Sequence, residues 1–186
     1  MIIDCHGHYT TAPKAECEAG LVRTLMTFDI RGFRGALGCF PTGIAVMTAA
    51  TDEASHIGIT VNSFTSVSLD PPLVLWCIDR RSRRYPFFAS APGFTISILA
   101  AGHRAVSARL AGPGEHSLDG IALIPTALGP PALADALAIF ECARESVQDA
   151  GDHAILIGRV LRFAQHDGAG APLVYFQGKY GALAQS

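Results

Sequence analysis

Seven short runs of apolar or alternating residues divide this chain, at 44–50, 56–61, 73–78, 94–99, 136–147, 153–165 and 173–176. Clusters of Gly, Pro, Asp and Ser stand between them and break regular structure. Pieces of that length bury apolar surface only by pairing with one another. The first two pair through a loop at 51–55, and 136–147 turns back on 153–165 through 148–152. Few stretches carry helical periodicity. The pattern predicts a mainly β domain: a small closed antiparallel barrel with a few peripheral short helices. At 186 residues, 49% of them hydrophobic, the chain can fill one substantial core.

Three helices are expected. Asp29 can cap the first, in which Ile30, Phe33 and Leu37 share one face and Gly38 and Pro41 mark the end. A second spans about 82–90 and a third 103–110. The run 73–78 is apolar throughout, which reads as a strand buried on both faces. Residues 117–131 read as irregular and 177–183 as a tail.

Several function classes are excluded. A net charge of -2 gives no footprint for nucleic acid. No apolar run reaches membrane-spanning length, and the cytoplasm is the expected location. The five cysteines, at 5, 17, 39, 77 and 142, form no Cys-x-x-Cys pair and read as reduced thiols. Gly-x-Ser-x-Gly, His-Glu-x-x-His, Walker and Gly-x-Gly-x-x-Gly patterns are all missing. A charged fraction of only 16% favours an oligomer that covers apolar surface. The opening segment, Met1 to His8, holds His6 and His8 in the His-x-His arrangement of an amidohydrolase metal site. That architecture needs a barrel of about 250 residues, and nothing downstream continues it. Residues 1–26 therefore read as an extension and 27–186 as the domain.

Chemistry concentrates at 60–72. Thr60, Val61, Asn62, Ser63, Phe64, Thr65, Ser66, Val67, Ser68 and Leu69 carry hydroxyls and an amide but no charge; Asp70 and the Pro71–Pro72 pair close the stretch. Such a wall suits a flat, neutral ring with polar edges; a Ser/Thr-rich turn is the plainer reading. Next come Arg80, Arg81, Ser82, Arg83 and Arg84, the one strong charge cluster. Ser82 and the guanidinium groups, at a helix start, could hold a phosphate; a solvated basic turn is the alternative. His153 follows Gly151–Asp152 at a strand start and emerges at a rim, or it is a turn histidine satisfied by Asp152.

The run Thr60 to Val74 resembles the signature of the flavin reductase family, which has a Greek-key split-barrel fold. Residues 34–48, 94–99, 151–153, 172–175 and 178–180 resemble it too, in the family's order, so the likeness covers roughly 27–183. It implies an enzyme that moves hydride from NADH or NADPH to FMN or FAD. It also implies a homodimer and an oxygenase component that receives the reduced flavin. By resemblance, the cofactor-binding positions are Thr42, Thr60, Val61, Asn62, Ser63, Ser66, Val67, Ser68, Ser82, Arg83, Arg84 and Tyr180. Arg84 stands where the family has a Thr against the flavin phosphate. Tyr180 would pack on the nucleotide or across the dimer, or else on the core. His153 takes the catalytic position, near the nicotinamide. A flavin- or haem-binding protein of the same fold without turnover is the alternative, and a metal hydrolase on His6 and His8 a distant third.

Overall fold

The computed structural model describes residues 29–51, 55–112, 117–166, 168 and 170–183. The His6 and His8 pair lies outside them. In chain order the elements are α1 (Ile30–Leu37), β1 (Thr42–Gly43), β2 (Ala45–Ala50), β3 (His56–Val61), β4 (Thr65–Leu69) and β5 (Pro72–Asp79). Then follow α2 (Tyr85–Ser90), β6 (Gly93–Ile98), a 3-10 turn at Ala101–His103 and α3 (Arg104–Ala111). The last are β7 (Leu123–Ile124), β8 (Ala132–Leu133), β9 (Ala138–Ala150), β10 (His153–Gln165), β11 (Leu173–Phe176) and β12 (Lys179–Ala182).

The expectation of a mainly β chain with a few short helices holds. Seven strands join in the order β3-β2-β6-β9-β10-β5-β4, and every pairing in this sheet is antiparallel. The sheet does not close. Among the described pairings β3 and β4 are its two edges, yet only residues 62–64 separate them in sequence. A link that short brings the two edges together at one corner, so the sheet must curl. It curls around Trp76, whose ring meets Phe88 and Phe94 edge-on at 5.0 and 5.7 Å. Met47, Ile59, Ile78, Ile96 and Leu156 complete this core. A second cluster, with Val46, Leu99, Leu110, Leu133 and Tyr175, lies under α3 and the three-stranded sheet β1-β11-β12.

Several local expectations are corrected. The strand at 73–78 is not buried on both faces: Val74, Trp76 and Ile78 are buried, but Leu73, Leu75 and Cys77 are half-exposed. The tail at 177–183 contains β12, which turns back on β11 through Gln177 and Gly178, both at positive φ. The second helix begins at Tyr85, because residues 80–84 form turns. The first helix is as expected, with Asp29 accepting from Arg31 N at 3.1 Å and Gly32 N at 2.8 Å. On its apolar face Ile30, Phe33 and Leu37 are 66%, 48% and 37% exposed, and α1 buries no residue.

Candidate functional site

The short helix α3 gathers residues from distant parts of the chain. Thr60, at the end of β3, donates its hydroxyl to Ser107 O at 2.9 Å. The Ser107 hydroxyl donates to Tyr180 Oη at 3.1 Å. The Tyr180 ring meets Tyr175 edge-on at 5.6 Å, and the Arg104 guanidinium lies over the Tyr180 ring, also at 5.6 Å. Tyr175 pairs across β11 and β1 with Thr42, whose hydroxyl is buried and has no hydrogen-bond partner. Thr60, Tyr180 and Thr42 are thus linked through α3 and β11.

Arg84 reaches the same helix from the other side. Its guanidinium is fully buried and donates to Leu110 O at 2.6 Å and to Gly112 O at 2.7 Å. A cation at a helix C-terminus satisfies carbonyls that have no partner within the helix. Both arms of its guanidinium fork thus hold the end of α3, at the residue where a phosphate contact is expected from the sequence. Ser82 is also buried and accepts from Arg84 N at 3.3 Å, so it shapes the turn that sends Arg84 inward.

The other arginines divide clearly. Arg80 pairs with Asp149 at 3.3 Å, and Arg81 with the buried Asp79 at 3.0 Å. Arg83 is exposed and has no ion-pair or hydrogen-bond partner among the described residues. Of the four, it is the cation available to an anionic ligand.

The hydroxyl-rich stretch is only partly a loop. Thr60 and Val61 end β3 inside the core, and Thr65 to Leu69 form the edge strand β4, which pairs with β5 around a bulge at Val67. Ser63 ties these parts together, accepting from Cys77 N at 2.9 Å and donating to Cys77 O at 3.3 Å. Asn62 is buried beside it. Ser66 and Val67 are exposed and Ser68 half-exposed, along an edge that carries no charged side chain. Thr60, Val61 and Ser63 thus serve as scaffold, while Ser66, Val67 and Ser68 face outward.

His153 stands opposite Asp79 in the β10–β5 pairing and opposite Ala150 across the turn Gly151–Asp152. Its Nδ1 lies 2.6 Å from Asp152 Oδ1. The hydrogen bond to His153 holds the Asp152 carboxyl below its ordinary range, against the opposing effects of desolvation and, smaller still, of Asp79. The His153 Nε2 is buried without a partner. The plainer sequence reading, a turn histidine satisfied by Asp152, is the contact the structure contains. Sequence reasoning missed Ser107, which nothing in the sequence marks.

Two clefts lie elsewhere. One of about 430 Å³ is lined by His103, Val106, Ile121, Leu133 and Asp135 among others, and one of about 580 Å³ by residues including His56, Ile57, Leu118 and Leu123. None of the predicted site residues lines either. Among the described residues no three His, Cys, Asp or Glu side chains are grouped to hold a metal ion, and no helix is long and apolar enough to cross a membrane.

Residues 37–184 match the flavin reductase like domain. An FMN reductase (NADH) of Agrobacterium fabrum is 46% identical over 83% of this chain and 87% of its own length. The reductase component of a flavin-dependent trigonelline monooxygenase of Acinetobacter baylyi is 41% identical over 84% of this chain, which spans 50% of that protein. Among solved structures, the NADH:FAD oxidoreductase of Streptomyces globisporus, in complex with NAD and FAD fragments, superposes with a TM-score of 0.79. It is 31% identical over 84% of this chain and 93% of that one.

Proposed function

The chain belongs to the flavin reductase like family, and we propose that it transfers hydride from NADH or NADPH to FMN or FAD and passes the reduced flavin to a partner monooxygenase. The observation that carries this reading is the neutral edge strand β4. Ser66 and Ser68 stand there with edge backbone groups that the sheet does not pair, which is what a flat ring with polar edges requires. The orphaned hydroxyl of Thr42 and the orphaned Nε2 of His153 are further places where a bound ring could supply a missing partner.

Bound flavin supplies the ring nitrogen that accepts the hydride. The chain's own part is placement. The β4 edge would hold one face of the site, and Arg83 would take the flavin phosphate in place of Arg84. His153 would position the nicotinamide. Hydride transfer needs no protein acid or base; it needs the two rings stacked with reacting atoms about 3–3.5 Å apart and water kept away. The hydride carries two electrons, so the nicotinamide leaves as its oxidised pyridinium form.

The curled, unclosed sheet is read as a split barrel, with residues 27–186 as the working domain. A second copy would cover exposed apolar residues of α1 and of β10, where Leu161 and Phe163 are 51% and 76% exposed. A nicotinamide donor and a partner oxygenase would both be met in the cytoplasm, which supports that location. The test is the visible spectrum of the protein with FMN under anaerobic conditions, before and after NADH and then NADPH. Loss of oxidised-flavin absorbance far faster than in the protein-free control is expected. Flavin that binds yet stays oxidised with both donors would leave a binding module and refute the reductase.

A further inference from the structure

We propose that the cleft of about 430 Å³ between the 3-10 turn that leads into α3 and the β7–β8 hairpin binds a small apolar molecule carrying an ammonium group, with Asp135 as its counter-ion. The site stands apart from the residues of the reductase reading and does not depend on it.

The two sides of the cleft come from distant parts of the chain. Val106 of α3 stands on one side, and Ile121 and Leu133 on the hairpin side. The hairpin is fixed in place: β7 pairs with β8, Ala134 N donates to Ala122 O at 2.9 Å, and Leu133 N donates to the Ser97 hydroxyl of β6 at 3.0 Å. His103 joins the two sides. Its Nε2 lies 3.1 Å from Ala134 O, and its Nδ1 accepts from Ala100 N at 3.1 Å. Both ring nitrogens are therefore engaged, and the imidazole lines the cleft without offering a ligand a free donor or acceptor. A preformed cleft of this size with aliphatic walls takes an apolar body.

The charge comes from Asp135. It follows β8 with φ +57, a conformation that Asp and Asn adopt more readily than other non-glycine residues. It lines the cleft, is exposed, and has no hydrogen-bond or ion-pair partner among the described residues. Among the described residues of the lining none is a lysine or arginine. One unpaired carboxylate with no cation beside it repels anions and favours a cation. Flavin and pyridine nucleotides carry phosphates and do not suit that balance. A primary ammonium on an apolar body does, because its N–H groups make charge-assisted hydrogen bonds to the carboxylate while the body covers Val106, Ile121 and Leu133.

The probe is benzylammonium chloride at pH 7.5 with the full chain; benzyl alcohol and sodium benzoate at matched ionic strength are the controls. Carbon-13 methyl NMR is expected to show saturable shifts of Val106, Ile121 and Leu133, with a Kd of about 1 mM, the scale for so small a ligand. Benzyl alcohol and benzoate should bind about tenfold more weakly or worse. At ten times its Kd the amine should raise the melting temperature by about 3–6 °C, the shift that mass action gives a chain of this size. Asp135→Asn keeps a residue suited to positive φ. It should melt within about 2 °C of wild type, bind the amine about tenfold more weakly and leave benzyl alcohol unchanged. Ile121→Trp, which fills the cleft, should abolish binding of the amine. Three results would each overturn the proposal: no saturable shift at those methyls, equal affinity for amine and alcohol, or an Asp135→Asn protein that binds the amine as wild type does.

Discussion

Replacing Arg84 with Met separates the two roles open to this side chain. Its guanidinium is buried and donates to Leu110 O and Gly112 O. Hydrogen bonds from a charged donor contribute about 1.5–3 kcal/mol each, so the pair accounts for about 3–6 kcal/mol. Removing the buried charge also removes its desolvation cost, and Met fills much of the space of the stem. A net loss of about 3 kcal/mol remains. For a chain of this size each kcal/mol lowers the melting temperature by about 2–4 °C, which gives about 6–12 °C. Thermal unfolding followed by circular dichroism measures this, and flavin titration of the folded protein measures the site. Arg84→Met should keep its flavin affinity within about twofold. Arg83→Ala should melt like wild type and lose about tenfold in flavin affinity, as expected when a phosphate loses one charged partner. If Arg84→Met melts normally but binds flavin weakly, the assignment of the two arginines is wrong.

Three further outcomes are expected. Gly158→Ala would bring a Cβ to 2.6 Å from Phe94 Cζ and 3.0 Å from Cys142 Cβ, so it should lose about 1–3 kcal/mol in denaturant unfolding; Gly35→Ala, on the surface of α1 with nothing within 4 Å, should lose none. Burial and the neighbouring Glu141 push the Cys142 thiol up to about 12, and burial raises Cys77; of Cys39, Cys77 and Cys142, only the exposed Cys39 should alkylate quickly at neutral pH, as read by mass spectrometry. Light scattering should give a dimer for the wild type and a smaller mass for Phe33→Glu; a monomeric wild type would remove the second copy from α1.

Most strands were legible because their apolar residues repeat with the right period and sit between strong breakers. Where the pattern failed, a physical reason is visible. β4 carries Thr65, Ser66 and Ser68 on an edge, so no apolar alternation marks it. β12 holds Lys179 and Gly181 and packs mainly through Tyr180, so it reads as a tail. The curl of the sheet was not legible as an open edge, since period-two patterning tells which face is buried but not which strands remain unpaired. Arg84 was read with its neighbours as part of one charge cluster. Composition averages over such a cluster, whereas the turn at residues 80–84 buries Ser82 and Arg84 and leaves Arg80, Arg81 and Arg83 exposed.

The same turn bears on how far a family signature transfers residue by residue. Thr60, Ser63, Ser82 and Arg84 all stand in signature positions, and each has a backbone group of this chain as a partner. Thr60 and Arg84 converge on α3 from segments 24 positions apart, and Tyr180 joins them through Ser107. These residues fix the helix and the strand ends that form the rim. Substituting them should therefore reduce stability first, and flavin affinity only through a displaced rim. Ser66, Ser68, Arg83 and His153 differ in kind: each presents an exposed group or an unfilled hydrogen-bonding position. Their substitution should change binding or turnover with little change in melting temperature. A signature that mixes both kinds is what a fold requires when its cofactor lies against the strands that hold it together, because the same short stretch must both end β3 in the core and begin β4 at the surface.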